Sequence, residues 1–376
     1  MPAHEKFDHI MDNLKHMLVL GASGLVGYAV AKHFAQLPSW RVTAVSRRKP
    51  ENLSKANFIS VDLSDPGACA NAFSQLQDVT HVVYAAYSEK SGTRGWEEPE
   101  QMALNKAMLQ NVMEPLLCVK NCLQHVTLLQ GTKAYGAPLA VIPVPARERS
   151  ARAEHDIFYW LQEDWLQHKQ LGQAWHWTIL RPQIVFGESL GSHMNIIPAI
   201  GVYAALSKQA NEPLHFPGGP SWVREAVDAN LLARACEWAA NSPSCQNETF
   251  NITNGDVFEW RNIWPSIADA LGMHVGIDRP LSLAKTMPNQ QAQWRELVRQ
   301  YKLASPESLE DFVGQGFMYA DRQFCFGMTH TPPTRLVSTI KARQAGFFDC
   351  IDTEVMFRKC FGQLYERDWL PKLSRL

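Results

Sequence analysis

The sequence predicts an α/β fold, a doubly wound parallel sheet with a smaller, mixed C-terminal cap, and three observations carry that prediction. Apolar strand-like runs alternate with helical patterns through the first half, the signature of a parallel sheet covered by helices on both faces. A glycine-rich turn, Gly21-Ala22-Ser23-Gly24-Leu25-Val26-Gly27, stands between the first such run and the first helical pattern. After Arg181-Pro182 the character changes: Gly187 to Pro220 is richer in Gly, Ser and Pro, and the remainder mixes helices with short segments. Residues 1–187 are therefore expected to form the sheet domain and residues 188–376 mainly the cap, with a strand near 247–252 returning to the sheet.

Taken in order, strands are expected near Met17–Leu20, Arg41–Val45, Phe58–Val61, His81–Tyr84, His125–Leu129 and Trp177–Leu180, with helices between them. Asp62-Leu63-Ser64-Asp65-Pro66 follows the third strand, with Asp65 or Ser64 placed to cap a helix that has Pro66 at its first position. The same loop suits packing against an adenine ring, and a purely structural cap reads identically. In the second half, helices are expected over Ala226–Ala240, Trp260–Leu271 and Ala292–Tyr301, and Asn247–Ile252 reads as the returning strand. No internal repeat, low-complexity tract or flexible linker stands out.

The glycine turn carries a function. A strand that turns on glycines into a helix presents backbone N–H groups and a positive dipole end to a pyrophosphate, and Cβ atoms at those positions would block the approach. Gly21, Ser23, Gly24, Leu25, Val26 and Gly27 are thus expected to hold a dinucleotide in a Rossmann-type domain. At the end of the second strand, where an NAD-specific site places Asp or Glu on the ribose, stand Ser46, Arg47 and Arg48. A hydroxyl and two guanidinium forks suit the extra 2′-phosphate of NADPH, whereas an exposed basic turn running on into Lys49 is the plainer reading.

Composition bounds the rest. The chain has 376 residues, with 36 Lys plus Arg against 37 Asp plus Glu, so no basic field for nucleic acid and no acidic tail is visible. Met1 to Lys15 is polar, and no later apolar run reaches the length that spans a bilayer. A cytoplasmic protein without nucleic-acid or membrane partners is expected, with a homodimer left open. The 8 cysteines lack C-x-x-C spacing and read as buried hydrophobes of a reducing compartment. Cys118 and Cys122 are expected on one helix face, yet without a nearby His, so no metal site is expected.

Hydride chemistry needs a donor for the oxygen that becomes negative. Short-chain dehydrogenases use Tyr-x-x-x-Lys, but here Tyr159 is followed four residues later by Glu163. A lysine appears instead in Gly131-Thr132-Lys133-Ala134-Tyr135-Gly136-Ala137-Pro138, after the fifth strand, where ligands of such sheets bind. With this loop and with Ile157-Phe158-Tyr159-Trp160-Leu161-Gln162-Glu163-Asp164, the chain resembles the progesterone 5β-reductase and iridoid synthase family of atypical extended short-chain reductases. That family takes its lysine from a Gly-x-Lys-x-Tyr-x-Gly-Pro loop and its tyrosine from an Asn-Phe-Tyr-Tyr-x-x-Glu-Asp helix. Asp78–Tyr84, Arg181–Gly187 and Phe250–Trp260 match in order, as do the glycine turn and the Arg pair. Departures cluster around the pocket: Trp160 replaces the second tyrosine, Ala85-Ala86 replaces bulkier residues, and the connection from Lys133 to Tyr159 is short.

The resemblance implies NADPH-dependent reduction of α,β-unsaturated carbonyl compounds, with hydride delivered to the β-carbon and the enolate oxygen stabilised by Tyr159 and Lys133. It further implies cofactor contacts at Asp62, Leu63, Tyr84, Ala85, Lys133, Tyr159, Pro182 and Ile184, and a hydrophobic carbonyl compound as substrate. Tyr135, Trp160, Phe317 and Tyr319 are candidate pocket walls, although an apolar cluster such as Phe317-Met318-Tyr319 also suits a core. Tyr159 has a plain reading as a core aromatic, Lys133 as a solvated loop cation, and Arg181 as an ion-pair partner. Other functions stay open: 1,2-reduction of a carbonyl, sugar-nucleotide chemistry, or a catalytically silent NADPH-sensing protein.

Overall fold

The computed structural model describes residues 14–89, 98–119, 122–137, 140–191 and 194–373. Of the segments singled out above, residues 1–13 and Pro138 lie outside them.

The first half alternates β1 (Lys15–Leu20), α1 (Leu25–Phe34), β2 (Trp40–Ser46), β3 (Asn57–Ser60), α2 (Pro66–Phe73), β4 (His81–Tyr84), α3 (Pro99–Cys118), β5 (His125–Leu129), α4 (Phe158–Gln170) and β6 (His176–Pro182). There follow β7 (Ile184–Phe186), α5 (Ile197–Gln209), β8 (Ala226–Asp228), α6 (Ala229–Asn241), β9 (Glu248–Ile252) and α7 (Trp260–Ala270). Short helices α8 (Leu283–Thr286), α9 (Gln291–Tyr301), α10 (Leu309–Val313), α11 (Gly316–Gln323) and α12 (Ile340–Gln344) precede α13 (Thr353–Glu366).

Seven parallel strands form the central sheet in the order β3-β2-β1-β4-β5-β6-β9, so the order reverses between β1 and β4. Both faces are buried because alternate residues of each strand point to opposite sides. Met17 and Val19 pack with α1 and α6, whereas Leu18 and Leu20 pack with α2, α3 and α4. A further core unites Phe186, α5, α7 and α13 with Phe312, Phe317 and Phe324.

Four local readings differ. No helix lies between β2 and β3, where the sequence predicts one, and Ile184–Phe186 forms a strand, β7, that it does not predict. Ala226–Ala240 is not one helix: residues 226–228 form β8, paired in parallel with β7, and the helix starts at Ala229. Asp228 adopts extended backbone and its carboxylate accepts from the N–H groups of Asn230 and Leu231, at 2.7 and 3.1 Å, which fixes the start of α6. Cys118 and Cys122 do not share a helix face, because α3 ends at Cys118 and Val119 is extended. Asp65 does cap α2, accepting from the Ala68 N–H at 2.9 Å with Pro66 in the first turn.

Candidate active site

The turn from β1 to α1 is built as a cradle. Gly21 has φ +81°, and a Cβ there would come within 2.8 Å of the Ala85 carbonyl oxygen; one on Gly27 would lie 2.2 Å from the Gly21 oxygen. Gly24 stands at the N-cap of α1 and gives no side-chain bond to the first-turn N–H groups, leaving them to an anion. Ser23, Leu25 and Val26 belong to the same turn, with Leu25 buried against the sheet.

The end of β2 is fixed by hydroxyls. Ser46 Oγ donates to the Arg48 carbonyl at 2.6 Å and Ser60 Oγ donates to the Arg47 carbonyl at 3.1 Å, while both arginines are exposed. The Ser46 proton is thereby used within the turn, and the two guanidinium groups are the donors that face solvent. Asp62 accepts from the Ser64 N–H at 2.9 Å and hydroxyl at 2.7 Å, and these bonds hold its carboxyl below the usual range. Leu63 is buried, and its carbonyl accepts from Asn111 at 2.9 Å. The Tyr84 side chain lies in the core between sheet and helices, so contact with a ligand would fall to its backbone and to that of Ala85.

Tyr159 comes from the first turn of α4 to the carboxyl ends of β5 and β6. A Cβ built on Gly131 would stand 3.4 Å from the Tyr159 hydroxyl and 3.7 Å from the Pro182 carbonyl oxygen, so these three residues converge. Burial pushes the Tyr159 phenol up, with Arg181 opposing, so that the group holds its proton and acts as an O–H donor at neutral pH. Lys133 lies two residues beyond Gly131 on a short 3₁₀ turn, with Nζ 5.8 Å from the centre of the Tyr87 ring. Tyr87 stacks on Phe158 at 5.3 Å, and Phe158 meets Tyr159 edge-on at 4.6 Å. Ile184 opens β7, immediately beyond Pro182 and Gln183.

Glu163, at the position four residues beyond Tyr159, is bound within a buried network. Its carboxylate pairs with Arg181 at 3.1 Å and with Arg152 at 2.8 Å, and Gln130 bridges Arg181 and Glu163. Arg181 is accordingly an ion-pair partner, held under the Tyr159 helix. The same guanidinium lies 5.3 Å from the Tyr135 ring centre and 5.6 Å from that of Trp160, and Arg152 lies 4.8 Å from the latter.

Of the four candidate pocket walls, the structure commits two elsewhere. Tyr135 packs with Ala137, Ile142, Ala146 and Val337, and its hydroxyl donates to Asn251 Oδ1 at 2.6 Å, tying the loop to β9. Phe317 is buried in the cap core. Trp160 is half-buried between the ionic network and Phe158. Tyr319 is half-buried against the cap core, and Met318 is exposed.

Sequence reasoning missed Tyr87 and Asn105. The fully buried Asn105 amide accepts from the Ser88 N–H at 2.9 Å and donates to the Ser88 carbonyl at 2.8 Å, and its own carbonyl accepts from Gln162 on α4. It fixes the Tyr87 loop relative to the Tyr159 helix. An isolated Asn in a helical pattern gives no local signal of that role.

A glycine cradle at a strand-order reversal, with a half-buried tyrosine at the adjoining strand ends, defines an extended short-chain dehydrogenase/reductase. The model of the NAD dependent epimerase/dehydratase family matches residues 17–253. The chain belongs to that family and, within it, to the progesterone 5β-reductase and iridoid synthase group. It is 30% identical to (S)-8-oxocitronellyl enol synthase of Catharanthus roseus, over 99% of this chain and 96% of that protein. It is 33% identical to 3-oxo-Delta(4,5)-steroid 5-beta-reductase of Arabidopsis thaliana, over 76% of this chain and 77% of that protein. The UDP-glucose 4-epimerase of Brucella ovis, solved in complex with NAD, superimposes with a TM-score of 0.66 at 17% identity, covering 93% of this chain and 98% of that one. Among the described residues no helix is long and apolar enough to cross a membrane, and no His, Cys, Asp and Glu cluster suits a metal ion.

Proposed function

We propose that this protein is an NADPH-dependent reductase of α,β-unsaturated carbonyl compounds, with Tyr159 and Lys133 as its catalytic pair. The observation that carries the reading is the convergence of the Tyr159 hydroxyl, on a half-buried side chain, with Gly131 and the Pro182 carbonyl at the ends of β5 and β6. The relatives named for an enol synthase and a steroid 5-beta-reductase support conjugate reduction as the chemistry.

The glycine turn and the first-turn N–H groups of α1 would hold the pyrophosphate, Arg47 and Arg48 the 2′-phosphate, and the Pro182–Ile184 backbone the carboxamide. The cofactor supplies the hydride when bound. Tyr159, protonated at neutral pH, donates a hydrogen bond to the substrate carbonyl oxygen and stabilises the enolate as negative charge develops there. The Lys133 cation on the adjoining turn adds favourable potential at the same oxygen. Proton return to the α-carbon is left to solvent. Residues 1–187 would carry the cofactor and residues 188–376 mainly the substrate.

Reduction with a deuteride-labelled cofactor tests the bond that is reduced. Label at the β-carbon of a saturated ketone or aldehyde is expected; label at the carbonyl carbon of an allylic alcohol would overturn the proposal in favour of 1,2-reduction.

A further inference from the structure

Arg224 is a buried cation that makes no salt bridge among the described residues. It stands two residues before β8, and antiparallel backbone bonds with Phe258, at 2.8 and 2.9 Å, fix its main chain. Its guanidinium lies 3.8 Å from the centre of the Trp222 ring and donates to Gln323 Oε1 at 2.7 Å. Among the described residues no carboxylate forms an ion pair with it. The adjacent acid, Glu225, is committed elsewhere: its Oε2 accepts from Gln183 at 3.0 Å and from the Val337 N–H at 2.8 Å. A second guanidinium, that of Arg335, approaches the same Trp222 ring at 5.2 Å. Burial pulls the Arg224 pKa down to about 10, with Arg335 acting in the same direction and Tyr319, Cys325 and Glu225 opposing.

Taking a guanidinium out of water is unfavourable unless an anion and further hydrogen bonds repay it, and a Trp face plus one amide oxygen repays only part. A nearby like charge makes the arrangement worse. The Trp222 face, Gln323 and the more distant Glu225 carboxylate offset that cost only in part, whereas an incoming oxyanion would supply a direct partner.

The location fits a substrate contact. The register of β7 and β8 pairs Ile184 with Ala226, which sets Arg224 alongside the start of β7 near Pro182, a residue that, like the Tyr159 hydroxyl, flanks Gly131. Gln323, which holds Arg224, lies on α11 one turn from Tyr319.

We propose that Arg224, backed by Trp222 and neighboured by Arg335, receives a carboxylate or phosphate group carried by the substrate at the end remote from its reacting carbonyl. The proposal rests on the reductase reading above and narrows the substrate class from hydrophobic enones and enals to oxyanion-bearing ones. The planar guanidinium, anchored by one N–H to Gln323, keeps its other donors for the anion.

The test compares 2-enals of increasing chain length that end in a carboxylate, a phosphate monoester or a methyl ester, assayed with the full chain and NADPH. In the wild type, kcat/KM for at least one anionic series should exceed that of the ester by about tenfold or more, the scale of a charge-assisted contact. Arg224→Gln should bring the ratio close to one, and Arg224→Lys should leave part of it. The series that shows the preference identifies the group as carboxylate or phosphate. A calorimetric titration of the NADP⁺-loaded protein with the saturated carboxylate, phosphate and ester analogues reads the same site without turnover. Heat from an anion that Arg224→Gln abolishes supports the site even if no enal is reduced, in which case the reductase reading alone fails. Turnover of all series at equal kcat/KM, with equal binding of anion and ester, would overturn the anion site and leave the reductase reading standing.

Discussion

Arg181 on β6 and Glu163 on α4 meet at 3.1 Å with both side chains buried, and their pairing joins the sheet to the helix that presents Tyr159. Removing one partner of a buried pair leaves the other uncompensated, at a cost of about 3–5 kcal/mol. Arg181→Met should fall at the lower end, roughly 3 kcal/mol, because Arg152 and Gln130 still reach Glu163. Urea denaturation of the two proteins measures it. A loss below about 1 kcal/mol, the value of a surface pair, would show that the pair does not anchor α4.

Tyr159→Phe removes a hydroxyl and leaves the ring packed against Phe158. Cofactor affinity should survive while turnover of an enone drops by about 10² or more, the scale of a lost oxyanion donor. Steady-state kinetics beside a fluorescence titration with NADPH separates the two. An unchanged kcat would sink the catalytic assignment.

Arg47 and Arg48 project from a turn that two serine hydroxyls hold in place. NADPH is expected to bind at least about tenfold more tightly than NADH, from a charge-assisted contact of roughly 1.5–3 kcal/mol. Replacing both arginines by Ala should bring the two dissociation constants together through loss of NADPH affinity. Equal constants in the wild type would disprove the 2′-phosphate role.

His81 and His125 face each other across β4 and β5 with ring centres 6.3 Å apart. Burial lowers their pKa values to about 4 and about 3 from 6.5. In the folded state they bind fewer protons than in the unfolded chain, so stability rises with pH across this window. Their contribution is complete above pH 6.5 and is lost as pH falls towards the folded values, by about 3 kcal/mol for His81. Imidazole NMR signals from both rings should stay those of the neutral form down to about pH 5. Ordinary titration near 6.5 would contradict the burial argument.

Most of the parallel sheet was legible in the sequence because its strands are short apolar runs that differ from the amphipathic helices beside them. His81–Tyr84 and His125–Leu129 lie where the sequence alone puts them. The two strands not read, β7 and β8, pair with each other outside that sheet, so the hydrogen bonds that make them strands are not local. Pocket walls were harder to read. Tyr135 and Phe317 are aromatic residues in promising segments, but the partners that occupy them, Asn251 and the cap core, lie far along the chain.

What the sequence determined by itself was the glycine turn of Gly21, Gly24 and Gly27 between strand and helix, and the places of the Arg47-Arg48 pair, Lys133 and Tyr159 relative to the strands and helices beside them. Each of these is set by local backbone requirements or by motif spacing. Tertiary structure alone decided that Glu163 pairs with Arg181, that Asn105 fixes the Tyr87 loop, and that Arg224 is buried with no salt bridge among the described residues. Those relationships depend on which side chains are brought together from distant strands and helices and on how much water is excluded around them. Neither quantity is encoded in the spacing of neighbouring residues.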